Sequence, residues 1–66
     1  MKGFIKVTDI NNQEHYLNIN YIMKFSPLNK DYDGKTMVYV HGNEKITIIQ
    51  SNNTVEEIIE MIDLAS

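Results

Sequence analysis

Hydrophobic and polar positions alternate with a period of two along most of this chain and switch to helical spacing near its end. In Phe4-Ile5-Lys6-Val7-Thr8 the alternation puts Ile5 and Val7 on one face of a strand. Asn11-Asn12 follows as a turn, because asparagine tolerates positive φ better than most residues. The run Glu14 to Ile19 reads as a second strand, with His15, Leu17 and Ile19 on one face and Tyr16 and Asn18 on the other. The two strands form a hairpin. Asn20 interrupts the alternation as a bulge or tight corner, and Tyr21 to Phe25 forms a third strand or a bent continuation of the second. Pro27 ends it, since proline has no N–H to donate into a ladder. Ser26 to Lys35 is polar, carries Pro27 and Gly34, and is the one long loop. Thr36 to His41 is a further strand, Gly42-Asn43 a tight turn, and Lys45 to Gln50 the returning strand of a second hairpin.

The helical segment is the sharpest feature. Thr54 followed by Glu57 is a capping box, in which the hydroxyl takes the Glu57 N–H and the carboxylate reaches back to the Thr54 N–H. Val55, Ile58, Ile59 and Ile62 recur at helical spacing, widened by Met61 and Ala65, while Glu56, Glu57, Glu60 and Asp63 take the opposite side. So short a helix is not stable alone in water and must lie on an apolar surface. The expected fold is a mainly β, β-rich α+β domain spanning residues 1–66. Four to five short antiparallel strands form a small SH3- or Sm-like barrel or a curled sheet, closed by the C-terminal amphipathic helix. Its expected core is Ile5, Val7, Leu17, Ile19, Ile46, Ile48, Val55, Ile58, Ile59 and Ile62.

The strands carry more apolar residues than one face requires. Met37, Val38, Tyr39 and Val40 are consecutive, and Ile48-Ile49 and Phe4-Ile5 are adjacent pairs. A strand apolar on both sides expects cover on both faces, and one short helix covers only one. A second copy of the chain is the expected cover, with Phe4, Val38, Val40 and Ile49 as the self-association surface. The leading functional reading is therefore a small protein-interaction module that forms a homo-oligomer.

Composition narrows the alternatives. At 66 residues the domain is marginal in size, and with no cysteine it lacks both disulfides and thiolate metal cages. No apolar run approaches a membrane span and Met1 to Val7 has no secretory hydrophobic region, so a cytoplasmic location is expected. Asn52-Asn53-Thr54 matches a glycosylation acceptor but, without an export signal, reads as the start of the helix. Net charge is −3 and all six basic residues are lysine. Arginine, the residue of bidentate phosphate and guanine contacts, is missing, which counts against nucleic acid. The alternative is nonetheless Sm-like binding of single strands. Lys2, Phe4, Lys6 and Thr8 share a face of the first strand, and Tyr16 and Lys24 beside them would complete a basic surface with an aromatic platform.

Candidate chemistry is sparse. Asn29-x-Asp31-x-Asp33-Gly34 matches the first half of a calcium loop, but Val40 stands at the twelfth position, where a bidentate glutamate belongs. His15 and His41 are the only imidazoles and form no HxH or HxxxH pair. Ser26, Ser51 and Ser66 lack the setting of a nucleophile, and the helix carboxylates read as a solvated face. No catalytic residue, metal or cofactor is expected.

Ile5-Lys6-Val7-Thr8, Asn11, Tyr16-Leu17-Asn18 with Ile22, the Gly42-Asn43 turn and the closing Ser51…Val55-Glu56-Glu57-Ile58-Ile59 together resemble the small FlbD-type flagellar and swarming-motility proteins. The likeness covers most of the chain through short, largely structural motifs. Two departures stand out: a longer loop from Pro27 to Lys35, and an inserted Asn52-Asn53 before the helix. The resemblance implies a cytoplasmic, non-enzymatic bacterial accessory protein of motility and brings no catalytic residues with it.

Overall fold

In the computed structural model, residues 2–66 are described and form five strands and one helix. Strands β1 (Phe4–Thr8) and β2 (Glu14–Asn18) pair antiparallel as a two-stranded sheet. Strands β3 (Ile22–Pro27), β4 (Thr36–His41) and β5 (Ile46–Ser51) form a second antiparallel sheet in the order β3-β4-β5. Helix α1 (Val55–Ala65) closes the chain. The expected closed barrel is not formed: the two sheets remain separate ladders, bridged only by the Asp9–Ser51 pair among the described residues.

The corner predicted at Asn20 is a single 3-10 turn, Ile19–Tyr21. The Asn18 side chain accepts the Asn20 N–H at 2.9 Å and starts it. The break therefore shortens β2 by one residue, and the chain leaves the turn as β3. Pro27 is the last residue of β3, opposite Thr36, where the missing N–H matters least. A bulge between Ile22 and Lys24 lets β3 bend as it enters the sheet.

The hairpins form where the asparagines and glycines fall. Asn12 takes φ +64° in the β1–β2 turn, and Asp9 holds that turn from its side chain. One carboxylate oxygen accepts the Asn11 and Gln13 N–H groups at 2.8 and 2.9 Å, and the other meets His15 Nε2 at 2.8 Å. In the β4–β5 turn the Gly42 N–H donates to the Lys45 carbonyl at 2.8 Å.

The helix starts at its capping box: the Glu57 N–H donates to Thr54 Oγ1 at 3.0 Å, and the Thr54 N–H to Glu57 Oε1 at 2.8 Å. Its far end is tied to the start of β1, where the Gly3 N–H donates to the Ala65 carbonyl at 2.7 Å. Gly3 holds φ +82°, a conformation costly for residues with a Cβ.

The core is small: Ile5, Val7, Val38, Ile49, Ile58 and Ala65, flanked by half-buried Leu17, Ile19, Ile22, Phe25, Val40, Met61 and Ile62. It corrects the expected core in four places. Val55, in the first turn of the helix, is neither in the core nor among the residues flanking it. Ile46, Ile48 and Ile59 are about half exposed, at 50, 52 and 47 %. On the helix, Ile58, Ile62 and Ala65 form the buried seam, and Ile59 stands about 100° around the axis from Ile58. On β5 the alternation is out of phase by one residue: Ile49 and Ser51 point inward, and Ile46, Ile48 and Gln50 outward. The same phase puts Val38 inside, opposite Ile49.

Polar anchoring sets that phase. Ser51 and Thr36, opposite each other, are fully buried, and both are bonded to Asn53. Ser51 Oγ donates to Asn53 Oδ1 at 2.9 Å while accepting the Asn53 N–H at 2.9 Å, and Thr36 Oγ1 donates to the Asn53 carbonyl at 2.8 Å. Asn53 Oδ1 also takes the Thr8 N–H at 3.0 Å. One residue, through its side-chain oxygen and its backbone carbonyl, thus joins the ends of β1 and β5 to the start of β4 just before the helix. Slipping β5 by one residue would bury Ile46 and Ile48 but break this network, because every side chain changes face together.

Candidate functional site

The phase of β5 turns Ile46 and Ile48 outward on a strand that has only one neighbour along most of its length. The Gly42–Lys45 bond identifies the hydrogen-bonded pairs of the β4–β5 ladder, because bonded and non-bonded pairs alternate in an antiparallel ladder. Val40–Thr47, Val38–Ile49 and Thr36–Ser51 are bonded; His41–Ile46, Tyr39–Ile48 and Met37–Gln50 are not. The N–H and C=O groups of Ile46, Ile48 and Gln50 therefore point away from β4. Ile10 confirms the assignment by donating its N–H to the Gln50 carbonyl at 3.0 Å. Beyond Gln50 the edge is open. The backbone groups of Ile46 and Ile48 have no partner among the described residues.

The cause of the opening is local. β1 meets β5 only at Asp9–Ser51, because the Asp9 carboxylate starts the turn there and folds the chain back into β2. A shallow groove is left beside the edge, lined by Asp9, Ile10, His15, Ile48, Ile49 and Gln50. Its acid is held ionised: the bond to His15, then the Gln13 N–H, keep the Asp9 carboxyl below the usual aspartate range. From Ile46 to Ser51 the strand has no charge and no proline, the two devices that most simply protect an edge. Next to Ile48 on the same face, Tyr39 carries the Lys24 ammonium 4.5 Å from its ring centroid.

The expected self-association residues divide. Val38 and Ile49 are 0 and 8 % exposed and belong to the core, so neither faces a partner, a correction that follows from the phase set by Asn53. Val40 is half-buried against that core. Phe4 is 42 % exposed and lines a separate groove with Met61 and Leu64 of the helix. Ile46 and Ile48, assigned inward by their alternation, reach solvent on the second sheet, as does Met23 of β3.

The residues of the nucleic-acid alternative divide as well. Phe4, Lys6 and Tyr16 share the outer face of the first sheet, with Lys6 opposite Tyr16, and Lys2 lies just before β1. Lys6 Nζ is 3.4 Å from a Glu14 carboxylate oxygen, which offsets its charge locally. Lys24 belongs to the other sheet and sits over Tyr39.

The calcium half-motif is tied up internally. Asn29 Nδ2 donates to one Asp33 carboxylate oxygen at 2.9 Å and the Lys35 N–H to the other at 3.2 Å. Among the described residues no three His, Cys, Asp or Glu side chains converge as a metal site. Besides the Asn53 network, two tertiary ties were not foreseen from the sequence: the Asp9–His15 pair, and Tyr32 Oη accepting the Val55 N–H at 2.8 Å from across the long loop. The first had a signal, an aspartate two and four residues before turn amides; the second had none. No helix among the described residues is long and apolar enough to cross a membrane. Comparison with family models, with curated proteins and with solved structures finds no match for this chain.

Proposed function

We propose that this chain is a small, non-enzymatic protein-interaction module that self-associates, and that the outer surface of β5 is where it does so. One observation carries the reading: Ile46 and Ile48 are half exposed on an edge strand whose backbone groups at those same residues are unpaired. Solvent-exposed isoleucine beside free N–H and C=O groups is the surface that strand addition uses, with ladder bonds supplying affinity and alternate side chains specificity. The Asp9–His15 pair, the nearest approach to a catalytic arrangement, braces a turn and adjoins only an open groove.

The resemblance to FlbD-type proteins adds a cytoplasmic accessory role in bacterial motility to the proposal. Single-stranded nucleic-acid binding has less support, since its residues divide between two sheets and Lys6 is paired with Glu14.

Sedimentation equilibrium tests the reading. The wild-type chain is expected to show a concentration-dependent dimer or larger species, and Ile48→Lys to be monomeric with an unchanged circular dichroism spectrum. A wild-type monomer at millimolar concentration would overturn it. Oligonucleotide binding that weakens steeply with salt would favour the rival instead.

A further inference from the structure

Resting on the self-association reading, the open edge also specifies how two copies meet. We propose that β5 pairs with β5 of a second copy, antiparallel about a two-fold axis through Thr47, with Ile46 of each chain opposite Ile48 of the other. The two three-stranded sheets then become one continuous six-stranded sheet.

The register follows from which groups are free. Ile46 and Ile48 each offer one N–H and one C=O to the open side, and the Gln50 carbonyl is already taken by Ile10. Only the Ile46–Ile48 pairing joins all the free groups of both residues on both chains, giving four hydrogen bonds and leaving no group of Ile46 or Ile48 unpaired. Centring the pair on Ile48 instead would set Ile46 against Gln50, whose carbonyl is occupied. The second copy's strand must also leave the ladder before it reaches Ile10, and it does so, because residues 42–45 form the β4–β5 turn.

The side chains agree with this register. Residues directly opposite in an antiparallel pair share a face, so the four isoleucines meet on the outer face, flanked by Tyr39 of each chain. The paired residues are uncharged, so two chains of net charge −3 meet along a neutral stretch. Lys45 and Glu44 of the second copy arrive opposite Ile49 and Gln50, beside the groove whose acid is Asp9, so this flank brings one charge of each sign. A second copy supplies every element of this fit by symmetry, and the edge is self-complementary.

The chain has no cysteine, so single-cysteine cross-linking reads the register directly. Thr47 is exposed and would face itself across the axis as a non-hydrogen-bonded pair. Such pairs lie about 4.5 Å apart at Cα, within the span of a disulfide. Thr47→Cys is expected to form a disulfide dimer under mild oxidation more than about tenfold faster than Lys45→Cys or Ile48→Cys, because proximity raises the effective thiol concentration. Each variant's fold is checked by circular dichroism, with wild-type sedimentation measured alongside. Fastest cross-linking at Ile48→Cys would overturn the register. A wild-type dimer with equal rates at all three positions would overturn edge pairing while leaving self-association standing. A strict wild-type monomer would overturn both.

Discussion

Asn53 is the residue whose loss should be felt furthest from its position. Its side-chain oxygen accepts from Thr8 and Ser51, and its backbone carbonyl accepts from Thr36. Both hydroxyl partners are fully buried, and stranding a buried polar group costs about 1–3 kcal/mol. Asn53→Ala should therefore lower stability by about 2–3 kcal/mol in urea unfolding, leaving the Ser51 hydroxyl and the Thr8 N–H without their acceptor. Asn52→Ala, which loses an exposed bond to the Asp9 carbonyl, should cost well under half as much. Asp9 acts through pH. The His15 bond and the Gln13 N–H depress its folded pKa. Its contribution is therefore present above the unfolded aspartate value of about 3.9 and is lost as pH falls through the folded value. Asp9→Asn should unfold more readily than wild type at pH 7, and the gap between the two urea midpoints should close on titration below about pH 4. A gap that persisted at pH 2 would mean that the ionised carboxylate is not what holds this turn.

At the level of elements, the chain announced nearly all of its architecture through local chemistry. The capping box at Thr54 and Glu57, the turns at Asn11-Asn12 and Gly42-Asn43, and the stop at Pro27 are decided within a few residues, and each lies where expected. What remained illegible depends on distant partners. The two faces of β5 read Ile46, Ile48, Gln50 and Thr47, Ile49, Ser51, and hydropathy favours burying the first. Asn53, bonded to Thr36 on another strand, selects the second. That one choice moved Val38 and Ile49 into the core and carried the candidate surface to Ile46 and Ile48. The helix tests the corrected face: Ile58→Ala should cost about 2–5 kcal/mol, as for a buried large-to-small change, while half-exposed Ile59→Ala should cost less than half of that. The β4–β5 hairpin supplies a second test. A Cβ on Gly42 would lie 2.8 Å from the Lys45 carbonyl oxygen, the acceptor that closes the turn. Gly42→Ala should thus displace the turn and lower the thermal midpoint through a clash, whereas Gly3→Ala, whose Cβ meets nothing within 4 Å, should lower it through the strain of its φ of +82° alone.

For the molecule as a whole, the consequence of a six-residue buried apolar core is that folding and association should be linked. A domain of this size has little stability in reserve. Any partner that binds only the folded chain adds to that stability in proportion to the logarithm of its concentration. When the partner is a second copy, the thermal midpoint itself should rise with protein concentration. Ile48 gives the control, because its side chain is already half in water and lies outside the core. Ile48→Lys should leave the midpoint at low concentration within a few degrees of wild type and remove its rise at high concentration. Calorimetry over a hundredfold range of concentration separates the contributions. A slope present in wild type and absent in Ile48→Lys assigns the extra stability to the β5 edge. Parallel slopes in both proteins would place the association elsewhere, with the Phe4, Met61 and Leu64 groove the next surface to mutate. Two flat lines would mean that this core, small as it is, suffices alone.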